Sequence, residues 1–423
     1  MSAQILDDLE WRGLVAHSTD PEALATALVA GPVTFYCGFD PTAPSLHFGN
    51  LVQLVTMRRL QQAGHRPIAV VGGATGLIGD PSGKSAERSL NEVEVVEAWV
   101  ERIRGQVERY LAFNGPQAAQ MANNLEWTAP LHALDFLRDI GKHFSVNRML
   151  DREAVSARLA GSGISYTEFS YQVLQAFDYL ELHRRYGCTL QTGGSDQWGN
   201  VTAGVDLIRR VTGDTVHALA TPLITRADGS KYGKTEAGTL WLDPTLTSPY
   251  AFYQYFVNVD DGEVVALLKV FSFRARDELE ALAEAVARRP EEREAQQALA
   301  EELTTLVHSA TEAGRARIAS RALFGQGELA DVEPEALAAA LAELSPTVVR
   351  APLPPLVDLL VATGLADSRS AARRTLAEGG IYLNNRRVGD PAQAPSEADL
   401  LAGRWLVLRR GKRTLSAVEL ARP

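Results

Sequence analysis

Cysteine is almost missing from this chain: there are two in 423 residues, Cys37 and Cys188. Two thiols are too few for a disulfide framework or a structural zinc site. No run of about 18 apolar residues occurs, so no membrane span is expected. The first eleven residues are acidic and mixed, without the basic-then-apolar layout of a signal peptide. These absences point to the cytoplasm. With 46% hydrophobic and 22% charged residues, the composition is that of an ordinary soluble protein. The length accommodates two or three domains. A cationic excess is missing too. The formal net charge is −10, which argues against nucleic acid as a partner of the whole chain. The charge is uneven, however. Residues 351–423 hold 11 Lys+Arg against 7 Asp+Glu, a net of +4, which leaves −14 on the other 350. A basic module on an acidic body is expected where one module alone meets a polyanion. A solvated basic face is the plainer alternative.

Between residues 33 and about 223, short β-prone runs alternate with longer helical patterns. Residues 33–37, 68–72 and 189–193 read as buried strands, and 92–113 and 171–182 as helices. The alternation predicts an α/β fold over 1–223: a Rossmann-like parallel sheet with helices on both faces. Ligands of such sheets lie beyond the carboxyl ends of the strands, at the switch point. Residues 224–324 carry a Gly/Lys loop followed by a helical pattern. Residues 325–352, rich in Ala, Pro, Gly and Glu, read as a linker with a short helix at 335–343. A small α+β module follows over 353–423.

Five constellations carry polar chemistry. The first is Pro41-Thr42-Ala43-Pro44-Ser45-Leu46-His47-Phe48-Gly49-Asn50, between the 33–37 strand and an apolar helical pattern (Leu51, Leu54, Val55, Met57, Leu60). Strand, rigid turn and polar helix start form the layout of a phosphate site, because a helix N-terminus offers unpaired N–H groups and partial positive charge. His47 and Asn50, one turn apart, can face one ligand. Neither GxGxxG nor GxxxxGK[ST] occurs in this stretch, so the common dinucleotide and P-loop motifs do not account for it. The second is Asp228-Gly229-Ser230-Lys231-Tyr232-Gly233-Lys234-Thr235, a Gly-flanked loop whose two ammonium groups suit a triphosphate. The third is Tyr171, Gln175 and Asp178, which share one helical face by offsets of four and seven. The fourth is the glycine run Gly72-Gly73-Ala74-Thr75-Gly76-Leu77-Ile78-Gly79-Asp80, continuing to Lys84. The fifth is Gly193-Gly194-Ser195-Asp196-Gln197-Trp198-Gly199-Asn200. Each alone reads more readily as a capped turn, a solvated loop or the wet side of an amphipathic helix.

Together, in order and spacing, the five resemble the bacterial tyrosyl-tRNA synthetases, a family of class I aminoacyl-tRNA synthetases. His47-Phe48-Gly49-Asn50 is similar to that family's HIGH motif, with Asn in the last place. Lys231-Tyr232-Gly233-Lys234-Thr235 is similar to KMSKS, with Tyr and Gly for Met and Ser. The C-terminal module resembles a small RNA-binding domain also found in a ribosomal protein. The resemblance implies an enzyme that joins tyrosine to ATP and passes it to the terminal ribose of tRNA(Tyr). Mg²⁺ would arrive with ATP and no organic cofactor is needed. Thr42, His47, Lys231, Lys234 and Thr235 are then expected at the pyrophosphate, with Lys84 and Arg88 nearby. Cys37, Gly49, Asn50, Gly194 and Asp196 are expected at the adenosine. Asp80, Tyr171 and Gln175 would meet the α-amino group, Asp40 and Gln197 the junction of amino acid and α-phosphate, and Tyr36 and Asp178 the phenol. Arg369, Arg373, Arg374, Arg386 and Arg387 would meet RNA. A homodimer is expected, with an interface in 114–148. The competing readings are a tryptophanyl-tRNA synthetase and an RNA-binding factor on an inactive synthetase scaffold.

Overall fold

The computed structural model describes residues 3–82, 91–161, 163–226, 228–230, 232–235, 238–390, 392–411 and 414–421. The chain forms two compact units, Met1–Asp243 with Ala266–Phe273, and Pro244–Val265 with Arg274–Pro423. The 224–243 segment therefore belongs with the first unit, whereas the expected boundary fell at 223.

The first unit is α/β, built on a six-stranded sheet in the order β1-β6-β5-β2-β3-β4. The strands are β1 (His17–Ser18), β2 (Thr34–Phe39), β3 (Arg66–Val71), β4 (Gln120–Asn123), β5 (Leu190–Gly194) and β6 (His217–Thr221). Strands β2 to β6 run parallel. Only the two-residue β1 is antiparallel, along β6. From β2 the chain moves outward to β3 and β4, then returns to lay β5 on the other side of β2. That reversal opens a crevice beyond the carboxyl ends of β2 and β5.

The helices Tyr166–Tyr186 and Trp198–Val211 cover one face, packing with Tyr36, Ile68 and Val70. The helices Phe48–Gln62 and Val93–Val107 connect β2 to β3 and β3 to β4. Right-handed crossovers put them on the opposite face. Helix Phe48–Gln62 buries Leu51, Leu54, Val55, Met57 and Leu60, the apolar set read from sequence. Each buried side chain of this kind contributes about 1.5–3 kcal/mol, so the helix start is presented at a fixed place. The expected 92–113 helix stops at Val107. Tyr110 and Leu111 beyond it bury their side chains without extending the helix. Helix Tyr166–Tyr186 exceeds the expected 171–182 at both ends. The Ser165 side chain caps its start by accepting from Glu168 N, and left-handed Gly187 closes it.

The second unit begins with helices, among them Pro249–Val257, Arg276–Arg288, Glu294–Val307 and Ala310–Leu323. It ends in a five-stranded sheet in the order β11-β10-β12-β13-β9, with helices Leu356–Ala362 and Arg369–Ala377. These strands are β9 (Thr347–Val349), β10 (Ile381–Leu383), β11 (Arg386–Val388), β12 (Trp405–Arg410) and β13 (Thr414–Leu420); the short β7 (Lys234–Thr235) and β8 (Gly238–Thr239) lie in the first unit. Residues 325–352 are not a bare linker. They hold the helix Pro334–Ala342, close to the short one expected, and strand β9, which pairs parallel with β13 from Thr347↔Val418 to Val349↔Leu420. Of the prolines that give the segment its linker look, Pro334 opens the helix, and Pro346 and Pro352 lie on either side of β9. Asn384 and Asn385, both at positive φ, make the tight β10–β11 turn, and Asn385 Nδ2 donates to Ala322 O at 2.6 Å.

One ion pair in the first unit is buried on both sides. Arg158 meets Glu168 at 2.8 Å, with side chains 4% and 2% exposed, tying helix Glu153–Leu159 to the start of Tyr166–Tyr186. Glu168→Ala would strand a buried guanidinium, a loss of about 3–5 kcal/mol. The expected outcome is a clearly lower urea midpoint. Removing Glu280 from its exposed pair with Arg276 should leave the midpoint nearly unchanged.

Candidate active site

The polar residues picked out by sequence converge at the carboxyl ends of the parallel strands. β2 supplies Tyr36 and Cys37 and leads into Asp40, β3 leads into the glycine run and Asp80, and β5 leads into Asp196 and Gln197. Helix Tyr166–Tyr186 lays Tyr171, Gln175 and Asp178 along one side.

Asp178 is buried and both of its oxygens are held. Oδ1 accepts from Trp127 Nε1 at 2.7 Å and Oδ2 from Asn124 Nδ2 at 3.0 Å. Burial drives its pKa from 3.8 up to about 7, against the lowering effect of those two donors. Asn124 also donates to Thr75 Oγ1 at 3.0 Å, and its Oδ1 accepts from Ala74 N at 2.7 Å. Thr75 donates to Asp40 Oδ1 and Tyr171 to Asp40 Oδ2, each at 2.6 Å. A continuous polar chain thus runs Trp127–Asp178–Asn124–Thr75–Asp40–Tyr171. It requires glycine at 72, because a side chain there would collide with Asp40 and Thr75. Asp80, also buried, accepts from Gln197 Nε2 at 2.5 Å and Ser82 N at 2.9 Å.

Two atoms in this pocket stand out. The Tyr36 hydroxyl and Gln175 Oε1 are buried and have no hydrogen-bond partner among the described residues. The Tyr36 phenol is raised well above 10, first by burial and then by the nearby Asp178. Tyr171 is raised by burial and then by Asp40 and Asp80. Both phenols therefore remain O–H donors at neutral pH. A polar pocket with three carboxylates and a spare phenol donor suits a small zwitterion with a hydroxyl at its far end.

The edge bearing the first two motifs is more open. Thr42, His47 and Gly49 are exposed. Asn50 Oδ1 accepts from His47 N at 3.0 Å, so this side chain acts as a cap and retains its amide hydrogens for a ligand. The Phe48 N–H donates to Leu240 O and that of Asn50 to His47 O. The helix start consequently offers fewer open amides than the strand–turn–helix layout implied. Gly49 sits so close to His47 that a Cβ would lie 2.9 Å from His47 Cε1. Cys37 is a buried thiol pushed up to about 12 by burial, with Sγ 3.8 Å from Gln53 Oε1. The loop bearing the second motif is stitched to the first. Leu240 N–H donates to Gly233 O, Leu242 N–H to Leu46 O, and His47 bridges Trp241 in antiparallel fashion. Lys234 and Thr235 form β7, paired with β8. Lys84, Arg88 and Lys231 lie outside the described residues.

Sequence reading missed Asn124, Trp127 and Thr75. Asn124 and Trp127 follow β4, a four-residue strand of Gln-Met-Ala-Asn that lacks β-branched residues and was not anticipated. Recognising it would have flagged the polar residues at its carboxyl end. Thr75 lies within the glycine run, whose sequence signal comes from its glycines, Asp80 and Lys84.

In the C-terminal module, the five expected RNA contacts differ. All five are exposed; among the described residues Arg373, Arg374 and Arg386 make no side-chain hydrogen bond or ion pair, while the other two are engaged on the surface. Arg369 is paired with Asp358 at 2.6 Å, and Arg387 donates to Gly379 O at 2.8 Å and Glu378 O at 3.2 Å. Arg409, not singled out by sequence, lies over Tyr382 at 4.1 Å.

A family model described as tRNA synthetases class I (W and Y) matches residues 29–325. The chain belongs to this family of class I aminoacyl-tRNA synthetases. Within it, the tyrosine branch is marked by a second model, the tyrosine–tRNA ligase SYY-like C-terminal domain, which matches residues 337–418 and takes in part of the segment expected as a linker. The chain is 61% identical over 418 residues to the tyrosine–tRNA ligase of Streptomyces coelicolor, covering 98% of this chain and 99% of that one. It is 61% identical over 422 residues to that of Acidothermus cellulolyticus, covering 99% of each. The crystal structure of a C-terminally truncated mitochondrial tyrosyl-tRNA synthetase from Aspergillus nidulans superposes with a TM-score of 0.69 at 29% identity, covering 76% of this chain and 94% of that one. The tryptophanyl alternative loses its ground to these matches.

Proposed function

We propose that this chain is a tyrosine–tRNA ligase that activates tyrosine with ATP and transfers it to the terminal ribose of tRNA(Tyr). The observation that carries this reading is the pairing of a spare buried donor, the Tyr36 hydroxyl, with the fixed carboxylate of Asp178. A substrate phenol would accept from Tyr36 and donate to Asp178. Phenylalanine would leave both unpaired, which is costly in a buried site.

The first step attacks the α-phosphate with a carboxylate already ionised at neutral pH. It needs no general base, so the protein's contribution is positioning and charge stabilisation. Asp80, Tyr171 and Gln175 would receive the α-ammonium group. Asp40 and Gln197, tied to Tyr171 and Asp80 respectively, would hold the junction of amino acid and α-phosphate. Thr42, His47, Lys231, Lys234 and Thr235, with Lys84 and Arg88, would stabilise the departing pyrophosphate. ATP enters as its Mg²⁺ complex, the ion carried chiefly on phosphate oxygens and water. Cys37, Gly49, Asn50, Gly194 and Asp196 would border the adenosine. The second unit would carry the tRNA-binding surfaces, with Arg373, Arg374 and Arg386 as the exposed phosphate contacts of its last module. The enzyme would work in the cytoplasm as a homodimer. Support for a partner surface comes from Leu134, Leu137 and Val146, all exposed and apolar within or beside the expected 114–148 region, joined by Leu159 and Tyr166.

His47→Ala should slow tyrosyl-adenylate formation by about 10²-fold or more while tyrosine affinity, read by equilibrium binding, stays nearly intact; an unchanged rate would remove His47 from the transition state. The Asp178 assignment predicts a pH effect. As pH falls through about 7, the carboxylate takes up a proton and loses acceptor strength, so tyrosine binding should weaken. Folding responds with the opposite sign, because a carboxyl whose pKa is higher in the folded state adds stability as pH falls from 7 towards its unfolded value. Binding titrations from pH 5.5 to 8.5 should show the inflection in the native protein and lose it in Asp178→Asn. Charge reversal at Arg373 and Arg374 should depress tRNA charging and flatten its salt dependence, while tyrosine-dependent pyrophosphate exchange persists.

A further inference from the structure

Phe48 lies between the two nucleotide motifs yet has no chemistry of its own. It is buried, its ring centroid 4.6 Å from that of Phe271 and 6.4 Å from that of Tyr232. Its N–H donates to Leu240 O at 2.9 Å, and Leu240 N–H donates to Gly233 O at 2.7 Å. Gly233, at φ +81°, approaches so closely that a Cβ there would lie 3.0 Å from that of Phe48.

The segment carrying Phe271 is itself clamped within the first unit. Arg12 donates to Lys269 O at 3.1 Å and Ser272 O at 2.9 Å. Arg59 donates to Val270 O and to Ser272 O and lies 4.6 Å over the Phe273 ring. Both arginines are buried, and Asp8 pairs with Arg12 at 2.9 Å. The packed path therefore runs from two anchored arginines through Phe271 and Phe48 to Tyr232 and Gly233.

We propose that Phe48 is a positioning residue for tyrosine activation. Wedged between Phe271 and Tyr232-Gly233, it sets where β7, with Lys234 and Thr235, stands relative to His47. The proposal rests on the reading above that this loop acts on the ATP phosphates. Close-packed side chains transmit displacement rather than absorb it, so a smaller side chain at 48 or 271 lets the loop shift away from its working position. A misplacement of about 1 Å is worth up to about 10²-fold in rate.

The test uses the full chain and single-turnover formation of tyrosyl-adenylate, with tyrosine binding measured alongside. Phe48→Leu and Phe271→Leu keep both sites apolar and preserve folding better than truncation to alanine. Each should slow adenylate formation about tenfold or more with tyrosine affinity unchanged. Lys234→Ala should also be slow, and Phe48→Leu added to it should cost little more, because the loop is then already ineffective. Wild-type rates for both leucine variants beside a slow Lys234→Ala would overturn the proposal alone. So would a Phe48→Leu effect equally large in the Lys234→Ala background, since that marks a general structural loss. A wild-type rate for Lys234→Ala would overturn the loop's role on phosphate and the proposal with it.

Discussion

A carboxylate taken out of water is tolerable only when its lone pairs are met, and the pocket is organised around that demand at Asp178. Trp127 meets one oxygen and Asn124 the other. The Asn124 orientation is fixed because its oxygen accepts from Ala74 N, so its two amide hydrogens go to Asp178 and Thr75. The Thr75 hydrogen then goes to Asp40, and Tyr171 supplies the other Asp40 oxygen. Residues following β2, β3 and β4 and one face of helix Tyr166–Tyr186 must all be in register for the two carboxylates to be satisfied at once. The sheet topology thus becomes a condition for tolerating charge, and the polar pocket is a by-product of meeting it.

The phosphate side follows a different logic. Thr42, His47 and Gly49 are exposed there, and the placement of this edge comes from packing and backbone bonds more than from side-chain hydrogen bonds. Helix Phe48–Gln62 is anchored along a buried stripe, and the second motif hangs from it through Leu240 and Leu242. On the proposed reading, specificity would fall to a rigid, buried network, and charge stabilisation to an accessible edge where a polyanion can enter and leave.

Much of this was legible in the sequence. The strands at 33–37, 68–72 and 189–193 were within two residues of β2, β3 and β5, because buried parallel strands advertise themselves as short apolar runs. Tyr171, Gln175 and Asp178 shared a face because helical spacing is regular. What stayed hidden depended on partners distant in sequence. β4 is too short and too weakly β-prone to be seen alone, so Asn124 went unnoticed and Trp127 counted only towards the expected 114–148 interface, whereas it is buried and donates to Asp178. β9 owes its strand geometry to pairing with β13, some seventy residues on, and read as linker. The helix after β3 ended early because burial of Tyr110 and Leu111, not helix preference, decides that stretch. Ion pairing of Arg369 with Asp358 is likewise invisible to charge counting.

The committed donors of Asn124 bear on how such an enzyme could diverge. Replacing Asp178 with an apolar residue would orphan the Trp127 indole and one Asn124 hydrogen at the same stroke. Replacing Asn124 would strip Thr75 and Ala74 of partners. Neither replacement leaves the chain of hydrogen bonds closed. A lineage drifting towards another amino acid must change several of these positions together or pass through poorly folded intermediates, and this polar thread makes the substrate preference of the fold conservative in the evolutionary sense.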